Sequence, residues 1–260
     1  MNAETYLFNK KNSLPLYIQV ANWIRAKVVT GEWPEGYKLP PEVDLAKDLQ
    51  ISRGTLRHAL SILIENHIIE QTHGKGTFVG SAILEQNWAY KLTTTSEELN
   101  WMGIPFETEV LKLTQMKVSD ERIISLLHLK PEQEIIFLRR LRRIAGLPVV
   151  LHETYFPAAM YPGLLKIDFT NETMTGTLEN TYDLSVTRAD HTISAIYADQ
   201  SIASILEINH GEPIIYDEHV LFNANDVALE FTKGYFRGDR FRLKTVVYRD
   251  QASGKQRVTG

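Results

Sequence analysis

The sequence predicts an α+β protein in two parts, a small helical bundle closed by a β-hairpin and a larger domain built on an antiparallel sheet. Three observations carry that prediction. Between Ser13 and Leu63 apolar residues recur at helical spacing and are interrupted twice by turn-formers. The glycine-punctuated stretch "IIEQTHGKGTFVG" then offers two short strands. After Glu107 the pattern alternates as strands do, and one unit of it returns about eighty residues later.

The elements follow in order. Ser13 and Pro15 open a first helix in which Leu16, Val20, Trp23, Ile24 and Val28 form the apolar stripe, and Gly31 ends it. "GEWPEGYKLPP" is a turn region. Pro41 opens a second helix whose buried side is Val43, Leu45, Ala46 and Leu49. Ser52 caps a third, with Leu56, Ala59, Leu60 and Leu63 inward. Gly54, Arg57, His58 and Ser61 fall on its other face, and Arg53 sits at its N-terminal tip. Segments Ile68–Gln71 and Thr77–Val79 then form a hairpin around Gly74 and Gly76. Three helices and a hairpin in this order make a winged helix-turn-helix.

Composition bounds the function. A chain of 260 residues with 43% hydrophobic content can build two cores. It has no cysteine, which excludes disulfides and thiolate metal sites and suits a reducing compartment. No apolar run is long enough to span a bilayer, and "MNAETYLFNKKN" lacks the apolar core of a signal peptide, so a cytoplasmic protein without membrane contact is expected. The net charge is −4, yet residues 1–80 carry 9 Lys+Arg against 8 Asp+Glu while residues 81–260 carry 19 against 24. That asymmetry is too weak to locate a DNA-binding surface by charge alone.

Geometry is more informative. The N-terminal end of a helix can enter the major groove, where arginine bonds guanine O6 and N7 together. Arg53 and Arg57 are placed for that contact, and Gly54 allows close backbone approach. The Ser52 and Thr55 hydroxyls can hold phosphates, as can His73 and Lys75 beside Gly74 at the wing tip. The alternative is that both arginines form an ordinary solvated helix face.

The run "GEWPEGYKLPPEVDLAKDLQISRGTLRHALSILIENHIIEQTHGKGTFV" resembles the DNA-binding domain of GntR-family bacterial regulators over residues 13–80. It carries the "LPxE" turn, the "SRxTxRxAL" helix and the "GxGTFV" wing in order. The resemblance implies contacts to double-stranded operator DNA at Ser52, Arg53, Thr55, Arg57, His73, Gly74 and Lys75. Two positions depart from the family pattern: Val43 stands where an arginine is usual, and Gly54 where threonine is common.

Residues 81–91 read as a linker between a domain of residues 1–80 and one of 92–250, with 251–260 as a tail. Thr95 and Glu98 suggest a capping box for a short helix ending near Gly103. Glu107–Val118 alternates as a strand, Ser119–Leu127 is a short capped helix, and two strands flank the "AGLP" turn. "ISLLHLKPEQEIIFLRRLRRIAGLPVVLHETYF" is echoed by "ASILEINHGEPIIYDEHVLFNANDVALEFTKGYF", which suggests two equivalent halves of one sheet with a pocket between them. His152 and Glu230 occupy matching places in the two halves, with Thr154 and Thr232 two residues on and facing the same side. Arg140 and Arg142 share one strand face and suit a phosphate or carboxylate. "RRLRR" could equally be an edge strand charged against aggregation.

This second part resembles the UTRA domain of the HutC subfamily across residues 92–248, through "LTTTSEELNWMG", "RRLRRIAGLPVVLHETYFP" and "VALEFTKGYFRGDRFRL". The resemblance implies a chorismate-lyase-like fold, a homodimer, a palindromic operator and a small effector such as a phosphorylated sugar. Thr94, Thr95, Ser96, Arg140 and Arg142 would hold the anionic group, and Glu230 the remainder. Relatives that bind amino-sugar phosphates commonly carry glutamate at the place of His152, serine and tyrosine near Thr173 and Thr175, and tyrosine at the place of Phe236. The expected protein is thus a transcriptional repressor released by a metabolite, an activator being the nearest alternative. An enzyme of lyase-like fold is the second alternative, and no cofactor or metal is expected. The chain has no metal-spaced histidine pair, phosphate-loop glycine motif or recognisable triad.

Overall fold

The structure, a computed structural model, describes residues 14–65, 68–80, 84–86, 92–101, 104–130 and 132–243. Ser13, most of segment 81–91, the helix end at Gly103 and the tail 251–260 lie outside the described residues.

Helix α1 (Leu16–Val29) begins behind Pro15, and the positive φ of Gly31 follows its end. Helix α2 (Glu42–Asp48) begins behind Pro41. Helix α3 (Arg53–Glu65) is capped by Ser52, whose Oγ accepts from the Thr55 amide at 3.0 Å. Strands β1 (Ile69–Thr72) and β2 (Gly76–Val79) pair antiparallel. In the turn between them the Lys75 amide donates to the Thr72 carbonyl, and Gly74 takes φ +73°, which a side chain would resist. Val20, Ile24 and Val28 pack with Leu45, Leu56, Leu60, Leu63, Ile69 and Val79 in one core. Val43 does not join them. It is 53% exposed, because a seven-residue helix lying against α3 buries only its Leu45 and Ala46 side.

Beyond the hairpin, β3 (Leu84–Gln86) pairs in parallel with β10 (Phe241–Leu243), so a strand lies inside the segment read as a linker. Helix α4 (Thr95–Trp101) comes next. Its capping box is one residue earlier than expected: the Thr94 amide and hydroxyl donate to Glu97 Oε2 at 2.7 and 3.0 Å, and the Glu97 amide returns to Thr94 Oγ1 at 3.3 Å.

Strands β4 (Glu107–Lys117), β5 (Glu134–Ile144), β6 (Leu147–Pro157), β7 (Arg188–Tyr197), β8 (Pro213–Phe222) and β9 (Ala228–Arg237) form one antiparallel sheet in the order β4-β5-β6-β9-β8-β7. Ala145 and Gly146, both at positive φ, make the two-residue turn joining β5 to β6. The repeat is visible in the strand order, since β4-β5-β6 and β7-β8-β9 are mirrored about the β6/β9 contact. Thr154 and Thr232, equivalent in the repeat, are also direct partners across that contact, so the local two-fold passes between them.

Side chains alternate between the two sheet faces. Helices α5 (Glu121–Leu126) and α7 (Gln200–Leu206) cover one face, where Ile123 packs with Ile135, Val220 and Phe231, and Ile202 and Leu206 with Leu141, Leu151 and Ile214. On the other face, helix α6 (Met174–Tyr182) packs over Ile136, Leu138 and Phe156. Strand β5 is not an edge strand. Its neighbours β4 and β6 flank it on both sides, and Arg140 and Arg142 are each only 4% exposed, so the aggregation-blocking reading of "RRLRR" fails.

Candidate functional site

On the DNA-facing candidate surface, Ser52, Arg53, Gly54 and Arg57 are exposed at the start of α3. Ser52 Oγ lies 2.8 Å from Thr55 Oγ1, so the two hydroxyls engage each other as well as the helix end. Arg57 Nε donates to Glu42 Oε2 at 2.7 Å, and this bond raises the guanidinium pKa above its ordinary value. The glutamate of the "LPxE" turn therefore orients an arginine of α3, a role that sequence spacing could not supply. His58 stacks on Tyr17 with ring centroids 3.8 Å apart, which ties α3 to α1. His73, Gly74 and Lys75 project at the hairpin tip, exposed.

The second site is a cavity of about 210 Å³ on the α6 face of the sheet, far larger than the ~10–15 Å³ that one water requires. Strands β5, β6, β8 and β9 form its floor, and the start of α4 and the start of α6 border it. Nine of the residues expected to bind effector line it: Thr94, Thr95, Ser96, Arg140, Arg142, His152, Thr175, Glu230 and Phe236. Thr173 does not. It is the N-cap of α6, accepting from the Gly176 amide at 3.1 Å.

Inward alternation explains the gathering. Residues 140 and 142 on β5, 152 and 154 on β6, and 230 and 232 on β9 share one sheet face, and β6 and β9 are adjacent. Arg142 Nη1 lies 3.1 Å from His152 Nδ1, and its Nη2 donates to Ser96 Oγ. A guanidinium has no acceptor, so His152 Nδ1 accepts and the ring proton sits on Nε2. Burial, and then the charges of Arg142 and Arg140, hold the His152 pKa well below its ordinary value. Its ring is neutral.

Desolvation dominates the charges here. Burial lowers the Arg140 pKa to about 10 against the opposing pull of Glu230, and burial with repulsion from Arg140 lowers that of Arg142. Arg140 Nε and Nη1, Arg142 Nε and Glu230 Oε2 have no hydrogen-bond partner among the described residues. Burial raises the Glu230 pKa, and His219 and Arg140 pull it back. Among the groups in the cavity, the two guanidinium forks and the Glu230 carboxyl group thus keep unused bonding capacity.

Among the wall residues that sequence reasoning missed, three form a polar cluster. His191 on β7 pairs in register with His219 on β8, and Asp217 stands two residues before His219 on the same face. Asp217 Oδ1 is 2.9 Å from His191 Nδ1, and Asp217 Oδ2 is 2.6 Å from His219 Nδ1. Burial alone would raise the Asp217 pKa, but the two imidazole hydrogen bonds bring it below the ordinary value. Burial would lower the His219 pKa, and Asp217 and Glu230 raise it instead. The signal available in the sequence was the Asp-x-His alternation in "YDEHV".

Phe236 connects the cavity to the rest of the molecule. Its ring stands edge-on to His152 at 5.5 Å and also belongs to a cluster containing Leu99, Val150, Phe241 and Val29, the last residue of α1. A side chain at Gly234 would meet the Phe236 ring at 2.6 Å, so the glycine leaves room for it.

Comparison with known proteins agrees with this architecture. The UTRA domain family matches residues 102–242, and the family described as bacterial regulatory proteins, gntR family, matches residues 16–79. The histidine utilization repressor of Pseudomonas putida is 30% identical over 206 residues, covering 77% of this chain and 79% of the relative. The mannosyl-D-glycerate transport/metabolism system repressor MngR of Escherichia coli is 26% identical over 239 residues, covering 90% and 97%. Among solved structures, PhnF from Mycobacterium smegmatis has the same fold at a TM-score of 0.64 and 23% identity, covering 87% of this chain and 100% of that one. With an exposed arginine-bearing start to α3, a cavity in the sheet and both family domains in order, the chain belongs to the GntR family of bacterial regulators, in its UTRA-bearing HutC branch, and is a DNA-binding transcriptional regulator.

Proposed function

We propose that this regulator is a homodimeric repressor that leaves a palindromic operator when a small anionic metabolite, such as a phosphorylated sugar, enters the sheet cavity. The observation that carries the reading is the buried pair Arg140 and Arg142, with guanidinium nitrogens lacking partners among the described residues. Two desolvated forks side by side destabilise the fold unless an oxyanion bonds them, and a phosphate or carboxylate bonds them bidentately. Glu230 Oε2, on the same cavity wall, suits a hydroxyl or amine of the same ligand. The names of the Pseudomonas and Escherichia relatives support repression as the direction of control.

In this reading Arg53 and Arg57 read base edges in the major groove, while Ser52, Thr55, His73 and Lys75 hold phosphates. Gly54 and Gly74 let the backbone approach. The effector is sensed through Phe236, which touches both the cavity and the cluster holding Val29. The ligand needs only to bind the DNA-incompetent arrangement better, and couplings of about 1–3 kcal/mol are typical.

The test is fluorescence anisotropy of labelled DNA from the protein's own upstream region, titrated with protein and then with sugar phosphates and carboxylic acids. Release by a phosphorylated sugar in the native protein, and none in Arg140→Ala with operator affinity retained, is the expected result. Release that survives Arg140→Ala would move the anion site elsewhere, and a failure of the native protein to bind the DNA would remove the operator reading.

A further inference from the structure

We infer that His191, Asp217 and His219 form a binding site for one divalent transition-metal ion, zinc being the natural occupant, in the wall of the effector cavity. One ligand atom from each residue lies within 4.8 Å of the other two. The donor set is two imidazole nitrogens and one carboxylate oxygen. That set suits zinc, cobalt or nickel, whereas calcium and magnesium take all-oxygen shells.

The local chemistry favours a ligand-binding role over a structural one. Asp217 is 1% exposed and is the partner of both rings, one on each oxygen. A buried ion pair of this kind gives little net stability compared with apolar packing, so stability alone does not account for it. His219 Nε2 stands 4.0 Å from Glu230 Oε1, beyond hydrogen-bond reach, and Glu230 Oε2 has no partner among the described residues. A second buried carboxylate with spare acceptor capacity therefore faces the same corner of the cavity.

The geometry needs a side-chain adjustment. Two ligands of a tetrahedral zinc ion sit about 3.3 Å apart, given metal–ligand bonds of about 2.0–2.1 Å. The present imidazole–carboxylate separations of 2.9 and 2.6 Å, one on each Asp217 oxygen, are shorter, and the three ligand atoms are spread over as much as 4.8 Å, so the close contacts open by about half an ångström and the widest closes by up to about 1.5 Å as the ion replaces the shared protons. The backbone framework is rigid in the right way: His191 and His219 are direct cross-strand partners, and Asp217 and His219 lie on one strand face. Three protein ligands leave a fourth position for water or another oxygen. That position opens on the cavity, where an effector oxygen can take it, a corollary that rests on the effector reading above. The ion site itself does not.

The experiment is titration of the full-length, chelator-treated protein with cobalt(II), read by its visible absorption, and with zinc(II), read by calorimetry. One ion per chain is expected, with cobalt bands typical of low coordination. Loss of an outer-shell partner alone costs about 10–100-fold in metal affinity, so Asp217→Asn and His219→Ala should each weaken binding by about a hundredfold or more. The exposed His210 provides the control, and His210→Ala should bind as the native protein does. Circular dichroism confirms that the variants fold, and Asp217→Asn preserves side-chain volume. Absence of saturable binding in the native protein overturns the site, as does binding that survives both substitutions. Repeating the DNA-release assay with chelator present keeps this outcome separate from the anion site: release that persists there leaves Arg140 and Arg142 in place whatever the metal result.

Discussion

Arg142 is buried beside a second arginine, with its Nε lacking a partner among the described residues, in a position where burial and Arg140 both oppose its charge. An apolar replacement of similar length removes that penalty. Arg142→Met should therefore stabilise the protein by about 1 kcal/mol, raising Tm by about 2–4 °C, while abolishing release by anionic effectors. Calorimetry with the anisotropy assay checks it, and a lowered Tm would show that Ser96 and His152 depend on the guanidinium more than it destabilises them. His152 gives a pH prediction. Its folded pKa is depressed, so the stability of its neutral form is complete above the unfolded value of about 6.5 and is lost as pH falls below it. His219 has the opposite sign, its contribution being complete below that value and lost as pH rises through its raised folded value. His152→Gln keeps an acceptor for Arg142 but cannot take up a proton. Its unfolding free energy should fall less steeply from pH 7 to 5, by up to about 1.4 kcal/mol per pH unit. Urea denaturation at several pH values measures this, and identical slopes would remove His152 as the responsible group.

At the scale of elements, α3 separates stability from function at Gly54. A Cβ there would meet only Ser52 Oγ, at 3.8 Å, so alanine fits the folded helix without adjustment. Gly54→Ala should stabilise the helix by up to about 1 kcal/mol through propensity. It should also weaken operator binding if the backbone lies against DNA, because the added methyl points out of the fold. Anisotropy beside thermal unfolding checks both halves, and unchanged affinity would mean that the helix start stands off the groove. The α3 cap and stripe were legible in the sequence, since Ser52 and the Leu56, Ala59, Leu60 and Leu63 spacing are local patterns. The α4 cap was misplaced by one residue because "TTTSEE" offers several threonine–glutamate pairs at equivalent spacing, and only the loop path selects Thr94 with Glu97. Val43 was misread because the period of a short helix does not say which flank a neighbour covers.

Across the whole molecule, the relevant feature is the contact between the winged helix-turn-helix and the sheet domain. Val29 at the end of α1 is fully buried in a cluster with Leu99, Ile104, Val149 and Phe236, and Phe236 is also cavity wall. Val29→Ala should leave effector affinity nearly unchanged and reduce the effector-dependent change in DNA affinity severalfold, a loss of part of a coupling of about 1–3 kcal/mol. Effector titrations with and without operator measure this directly. Full release in the variant would route the coupling through another contact.

Local pattern by itself determined the winged helix-turn-helix, the strand periodicity, the two-fold repeat and the facing pairs Arg140/Arg142 and His152/Thr154, because side-chain direction follows from helical and strand periods. Tertiary structure decided what pattern leaves open. It made β5 an interior strand and so turned "RRLRR" from a charged edge into a strand with two buried arginines, Arg140 and Arg142. It used Glu42 to aim Arg57, fifteen residues away. It brought His191 against Asp217 and His219 across twenty-six residues, by strand register that no spacing rule encodes. Sequence periodicity fixes which side of an element a residue faces, whereas strand order and register fix what it faces, and the sensor chemistry depends on the second.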